Sequence, residues 1–163
     1  MTIVNSDQKI SPALFRAQLA RLTAQIANRP LEPELQDWLN THHGSESDTF
    51  RELQASCRAG VADGWLCARE AGGIRYGRIF KPDAELNDFS VDVVDMQDIA
   101  GPHHVHPEGE IDLVMPTDGD AQFDGQPAGW VVYPPGSAHR PTVSKGRALV
   151  LYLLPQGAIR FTG

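Results

Sequence analysis

Between Pro102 and Ile111 the chain reads HHVHPEGE, three histidines and two glutamates in eight consecutive positions, and another histidine, His139, ends the stretch GWVVYPPGSAH. Imidazole nitrogens and carboxylate oxygens are the donors that hold Zn, Fe, Mn, Ni or Co in sites with open positions. Side chains alternate faces along a strand, so His104 and His106 point one way while His103 and Val105 point the other. Pro107, Glu108 and Gly109 let the chain turn, and Glu110 opens the next apolar strand, from which its carboxylate can fold back toward the same point. Gly129 and the bend from Pro134 to Gly136 deliver His139 from a further strand. Together His104, His106, Glu110 and His139 make a ligand set for a divalent metal ion (Zn, Fe, Mn or Ni) with room left for water or substrate, a site for chemistry or ligand binding.

The remaining polar groups are read against plainer explanations. His103 has the parity of the opposite face, which fits a role behind the ligands or at the surface. Glu108 falls in a turn that faces water. Both are nevertheless named as acid–base groups, because proton transfer from a positioned side chain contributes about 10²- to 10⁴-fold in rate. Asp112 shares the parity of Glu110 and is expected to look into the fold, either as a buried polar contact or as part of the site. His42 and His43 stand near a helix end, where the helix dipole accounts for them. Cys57 continues an apolar helix stripe and is expected to be a small buried residue, not a reactive thiol; Cys67 falls on a strand.

What must position these groups is a helical segment followed by strands. SPALFRAQLARLTAQIANRP offers Ser11 as N-cap, Pro12 at the first helical position, and Phe15, Leu19, Leu22 and Ile26 along one face up to Pro30. EPELQDWLNTHHG carries Leu35, Trp38 and Leu39 to a stop at Gly44. A third helix is expected from about Thr49, with Glu52 completing a capping box, through Phe50, Leu53, Cys57 and Val61 to Gly64. From Trp65 the pattern changes to short β-type runs: WLCARE, IRYGRIF, FSVDVVDM, EIDLVM, AQF, GWVVYPP and ALVLYLLP, separated by Gly-Gly, Asp-Gly and Pro-containing turns. The fold class is therefore mainly β, an antiparallel barrel with about three α-helices in front. Residues 1–64 form the helical segment packed on the barrel and 65–163 the barrel domain.

At 163 residues one core is expected, burying roughly two-thirds of the unfolded surface. The net charge of -7 and the lack of Lys or Arg runs exclude the basic footprint that nucleic acid or an anionic membrane requires, which leaves a small-molecule partner. No N-terminal signal pattern and no run of ~18 to 20 apolar residues occurs, so the expected location is cytoplasmic.

The spacing H-x-H-x3-E from His104 to Glu110, followed by G-x4-P-x-G-x2-H from Gly129 to His139, resembles the two cupin motifs. That resemblance implies a double-stranded β-helix with the metal inside. HHVHPEGEIDLVMP, AGWVVYPPGSAHRP and the terminal LYLLPQGAIRF, with the helical segment ahead of them, are further similar to the 4-hydroxylaminobenzoate lyase family of nitroaromatic degradation. The family implies conversion of 4-hydroxylaminobenzoate to 3,4-dihydroxybenzoate and ammonium; for that reaction the metal is expected to act as a Lewis acid. A carboxylate substrate implies a cationic clamp. Arg78, with Tyr76 on the same face of IRYGRIF, is the first choice and Arg140 the rival, while Trp130, with Tyr133 and Phe123, is an aromatic wall for the ring. Two alternatives stand: an Fe(II) dioxygenase acting on a small aromatic or enediol, and a cupin that binds a ligand without turning it over. A homodimer is the expected assembly, since open sheet edges invite pairing.

Overall fold

A computed structural model describes residues 10–162. Residues 1–9 and 163, which the division at residue 64 also counts, lie outside the described residues. Three helices come first: α1 (Pro12–Ile26), α2 (Pro33–His43) and α3 (Asp48–Asp63). The Ser11 hydroxyl accepts from the Leu14 amide at 3.2 Å, and Pro12, which has no N–H to lose, starts α1. That helix ends at Ile26, ahead of Pro30, because Asn28 turns into the left-handed region at φ 63°. The cap of α3 is Ser47, not Thr49: the Ser47 hydroxyl accepts from the Phe50 amide at 3.1 Å, whereas the Thr49 hydroxyl is taken by His43 Nδ1 at 2.8 Å.

Nine strands follow: β1 (Arg69–Ala71), β2 (Ile74–Phe80), β3 (Phe89–Ala100), β4 (His104–His106), β5 (Glu110–Phe123), β6 (Gly129–Tyr133), β7 (Ser137–His139), β8 (Thr142–Pro155) and β9 (Arg160–Phe161). They form a six-stranded sheet in the order β1-β2-β3-β8-β5-β6 and a three-stranded sheet in the order β7-β4-β9, antiparallel throughout. This is the cupin-like double-stranded β-helix, with its two sheets left unclosed. EIDLVM and AQF, two runs in the sequence, are one strand: β5 continues past Pro116 through register shifts against β8, at a point where β6 no longer pairs. WLCARE supplies a strand only from Arg69; Trp65 and Leu66 pack into the helical core, and Cys67 turns the chain at φ 54°. Both cysteines are free and buried, and burial pushes the thiols up, that of Cys67 to about 12.

Alternation along the long strands sorts the core into two layers. Val91, Val93, Ile111, Leu113, Leu151 and Leu153 face the helices and pack with Phe15, Leu19, Leu39 and Leu53. Val94, Met96, Val114, Val150 and Tyr152 face the opposite way, into the space between the sheets. Helix α2 also finishes the edge of the large sheet. Asn40 Oδ1 accepts from the Trp130 amide at 2.7 Å while Asn40 Nδ2 donates to the Trp130 carbonyl at 2.9 Å, and Gln36 Oε1 accepts from the Val132 amide at 2.9 Å. Among the described residues no helix is long and apolar enough to cross a membrane.

Candidate metal centre

Four donor groups converge between the sheets. His104 and His106 come from β4, His139 from β7 directly across from His104, and Glu110 from the first position of β5. The turn that brings Glu110 back depends on Gly109: its φ is 89°, and a Cβ there would stand 2.8 Å from the Tyr133 carbonyl oxygen. One ligand atom from each of the four residues can be chosen so that all lie within 4.8 Å of one another. Glu110 Oε2 lies 3.0 Å from His106 Nε2 and 3.5 Å from His139 Nε2, while Oε1 lies 3.7 Å from His104 Nε2.

The outward nitrogens decide what the inward ones can do. His104 Nδ1 meets the Pro102 carbonyl at 3.3 Å, an oxygen that can only accept, so Nδ1 carries the hydrogen. The Ser137 hydroxyl donates to the Pro134 carbonyl at 2.6 Å and is left to accept from His106 Nδ1 at 3.0 Å. His139 Nδ1 donates to Asp124 Oδ2 at 2.5 Å; Asp124 in turn accepts from the Tyr133 hydroxyl at 2.6 Å and the Thr142 amide at 2.9 Å. A neutral imidazole with hydrogen on Nδ1 presents a lone pair at Nε2. In that neutral form each Nε2 would offer its lone pair to an ion; His139 Nε2 and His104 Nε2 stand 3.1 Å apart, while His106 Nε2 and both Glu110 oxygens are buried with no properly oriented hydrogen-bond partner among the described residues. Buried polar atoms are seldom left so. These donor types fit a divalent ion.

Electrostatics bears out the strain of bringing these groups together. Against the burial that would raise it, the three imidazoles that face it, those of His104, His106 and His139, hold the Glu110 carboxyl well below the usual carboxylate range. Burial lowers His139, but its bond to Asp124 and the nearby Glu110 carboxylate outweigh this and raise it to about 9. Asp112, on the same face of β5, is wholly buried; burial and then the Glu110 charge push its pKa well above the ordinary value.

A cavity of about 440 Å³ opens beside His104, the one member of the cluster on its wall; Ile74, Tyr76, Met96, Tyr152 and Phe161 line it with apolar surface. Of the residues expected to meet substrate, Tyr76 lies on this wall. Arg78 does not, because its guanidinium is forked onto Asp92 at 3.0 and 3.2 Å and also donates to the Gly157 carbonyl at 3.3 Å. Arg140 is exposed and donates to the carbonyl of Gly101, a lining residue, at 3.4 Å. Trp130 points away: it sits opposite Leu113 on the helix-facing side and donates its indole N–H to the His43 carbonyl at 2.9 Å. Phe123 and Tyr133 belong to the inner layer. Glu108 is exposed in the turn after β4, and His103, half-buried, is hydrogen-bonded to the Thr162 hydroxyl. His43 is explained by its bonds to Thr49 and Gln25 and not by charge at the helix end, since burial and then His42 lower its pKa. Asp124, Ser137 and the Pro102 carbonyl have no motif that announces them. Asp124 stands in an Asp-Gly pair at φ 51°, which reads as turn chemistry alone.

Two facing antiparallel sheets with three imidazoles and a carboxylate gathered between them define a cupin. Within that class the 4-hydroxylaminobenzoate lyase model (PnbB) matches residues 17–161, and the chain belongs to that family. It is 32% identical to the 4-hydroxylaminobenzoate lyase of Pseudomonas putida, over 85% of this chain and 88% of that one. With the enzyme of the same name from Nocardioides sp. (strain LMS-CY) it shares 34% identity, over 84% and 86%. Among solved structures, an RmlC-like cupin protein from Ralstonia eutropha overlaps 59% of this chain and 64% of its own, at 14% identity and a TM-score of 0.43.

Proposed function

We propose that this protein is a metal-dependent lyase that converts 4-hydroxylaminobenzoate and water to 3,4-dihydroxybenzoate and ammonium. The observation that carries this reading is the apolar cavity of about 440 Å³ against His104, in a chain about one-third identical to two enzymes of that name. A benzene ring fits such walls, and the only titratable cluster member it meets is His104.

His104, His106, Glu110 and His139 would hold the ion, whose identity among Zn, Fe, Mn and Ni overlapping affinities leave open. Bound there, it supplies Lewis acidity toward the N–O group or the incoming water. The chain's own residues do the rest. Apolar walls exclude bulk water from the ring and fix its plane. Arg140 meets the substrate carboxylate at the mouth, taking the place first assigned to Arg78, whose guanidinium is occupied by Asp92. Tyr152, on the cavity wall and kept neutral by burial, offers its hydroxyl to the departing nitrogen. His103 fastens the strand beside the site, and Glu108 stays in water. The reaction takes up one water, releases one ammonia and is redox-neutral, so neither oxygen nor a nicotinamide is consumed.

Purified protein incubated without oxygen with 4-hydroxylaminobenzoate should release 3,4-dihydroxybenzoate and ammonium in equal amounts, and chelation should stop both. Turnover that requires oxygen, or survives complete metal removal, would refute the proposal.

A further inference from the structure

Phe161 is the large apolar side chain that folding leaves exposed among the described residues, at 63%. Its position is set by pairing. β9 lies against β4 with Phe161 directly across from His104, and residues directly opposed on antiparallel strands project from the same face. Their rings meet at a centroid distance of 5.6 Å and an angle of 68°, an edge contact. Phe161 shares the cavity wall with Ile159, Tyr76 and Met96. The segment is tied down: the Thr162 amide donates to the His103 carbonyl at 3.1 Å, and the Thr162 hydroxyl bonds His103 Nδ1. A lone exposed phenyl needs no explanation on most surfaces. This one borders the apolar cavity and touches a member of the donor cluster, so a planar ring in the cavity would cover it and complete an aromatic pair.

We propose that Phe161 is a specificity-determining residue, seating the substrate's aromatic ring beside His104. The identity of that ring rests on the lyase reading above. Ring seating acts on binding and not on bond breaking, so it belongs in KM and in the affinity for unreactive aromatic acids. It should leave kcat alone.

The full chain, metal-loaded, is compared with Phe161→Ala, Phe161→Leu and Phe161→Tyr. Four quantities are read: steady-state constants on 4-hydroxylaminobenzoate, calorimetric binding of benzoate, metal content and mass in solution. For Phe161→Ala, KM and the benzoate Kd should rise about ten-fold, from the lost aromatic pair and its buried area. kcat should stay within about two-fold. Phe161→Leu should fall between, Phe161→Tyr should restore the parent values, and metal content and mass should not move. Constants unchanged within about two-fold would overturn the proposal. A rise accompanied by metal loss or altered mass would do so too, making Phe161 a packing or interface residue; so would a parent that binds no benzoate. The benzoate arm separates the two readings. Phe161-dependent benzoate binding without turnover refutes the lyase assignment and keeps the ring seat. Turnover with a KM indifferent to Phe161 does the reverse.

Discussion

Two neighbouring rows cross the large sheet one residue apart. The first runs Val93, Leu151, Leu113 and Trp130 over β3, β8, β5 and β6; the next runs Asp92, Tyr152, Asp112 and Val131 over the same strands. The first lies against the helices and is apolar from end to end, each buried side chain of this kind contributing about 1.5–3 kcal/mol. The second faces the other sheet and includes Asp112, a wholly buried carboxyl that burial penalises, in line with Glu110 two residues earlier. Adjacent residues thus do opposite work: the helix-facing row holds the sheet together, and the inward row spends some of that stability on a polar interior.

If that division is right, substitutions on the two faces should separate stability from ion binding. The largest effect is expected from His106→Ala, which should reduce both metal content and turnover to background while the far-ultraviolet spectrum of the fold persists; retained metal would contradict the site. On the opposite face, Leu151→Ala should cost about 2–5 kcal/mol in denaturant unfolding and leave metal per chain unchanged in the folded fraction. Asp124→Asn is smaller: with His139 less firmly oriented, metal affinity should drop about 10- to 100-fold, read by competition with a coloured chelator.

A pH series sharpens the same contrast. The folded pKa of His139 is raised to about 9, so in metal-free protein its stabilisation is complete below the ordinary imidazole value and disappears as pH rises through about 9. A bound ion competes with that proton, so metal affinity should increase over the same interval. Melting temperature with and without metal should therefore diverge as pH rises from near 6.5 toward 9; parallel curves would show that His139 is not a ligand.

The ligand cluster was legible because its parts obey a strict rule. Alternation puts His104 and His106 on one face whatever the fold, and Gly109 and the Pro134–Gly136 bend mark where the chain returns. Alternation does not say which face looks inward: only the register with Leu113 shows that Trp130 turns to the helices and not toward the cavity. Arg78 shares a face with Tyr76, and its guanidinium is forked onto Asp92, fourteen residues on, a pairing that nothing local in the sequence shows. Asp124 was hidden by ambiguity of another kind: Asp-Gly satisfies a hairpin turn, and only the folded chain reveals that its carboxylate also holds His139. Strand lengths were short for a similar reason, since Pro116 looks like an end until β8 is seen to carry β5 past it.

The amide groups of Gln36 and Asn40 have a consequence for assembly. By occupying the outward N–H and C=O groups of Trp130 and the N–H of Val132, they act as a surrogate strand, and the large sheet cannot be extended by another copy on that side. The other margin is different: β1 is short, and Arg69, Glu70 and Ala71 are all exposed. Among the described residues the two rims of the sheet are thus unequal, one sealed by its own helix and one uncovered, so any strand that extended the sheet would have to add at β1.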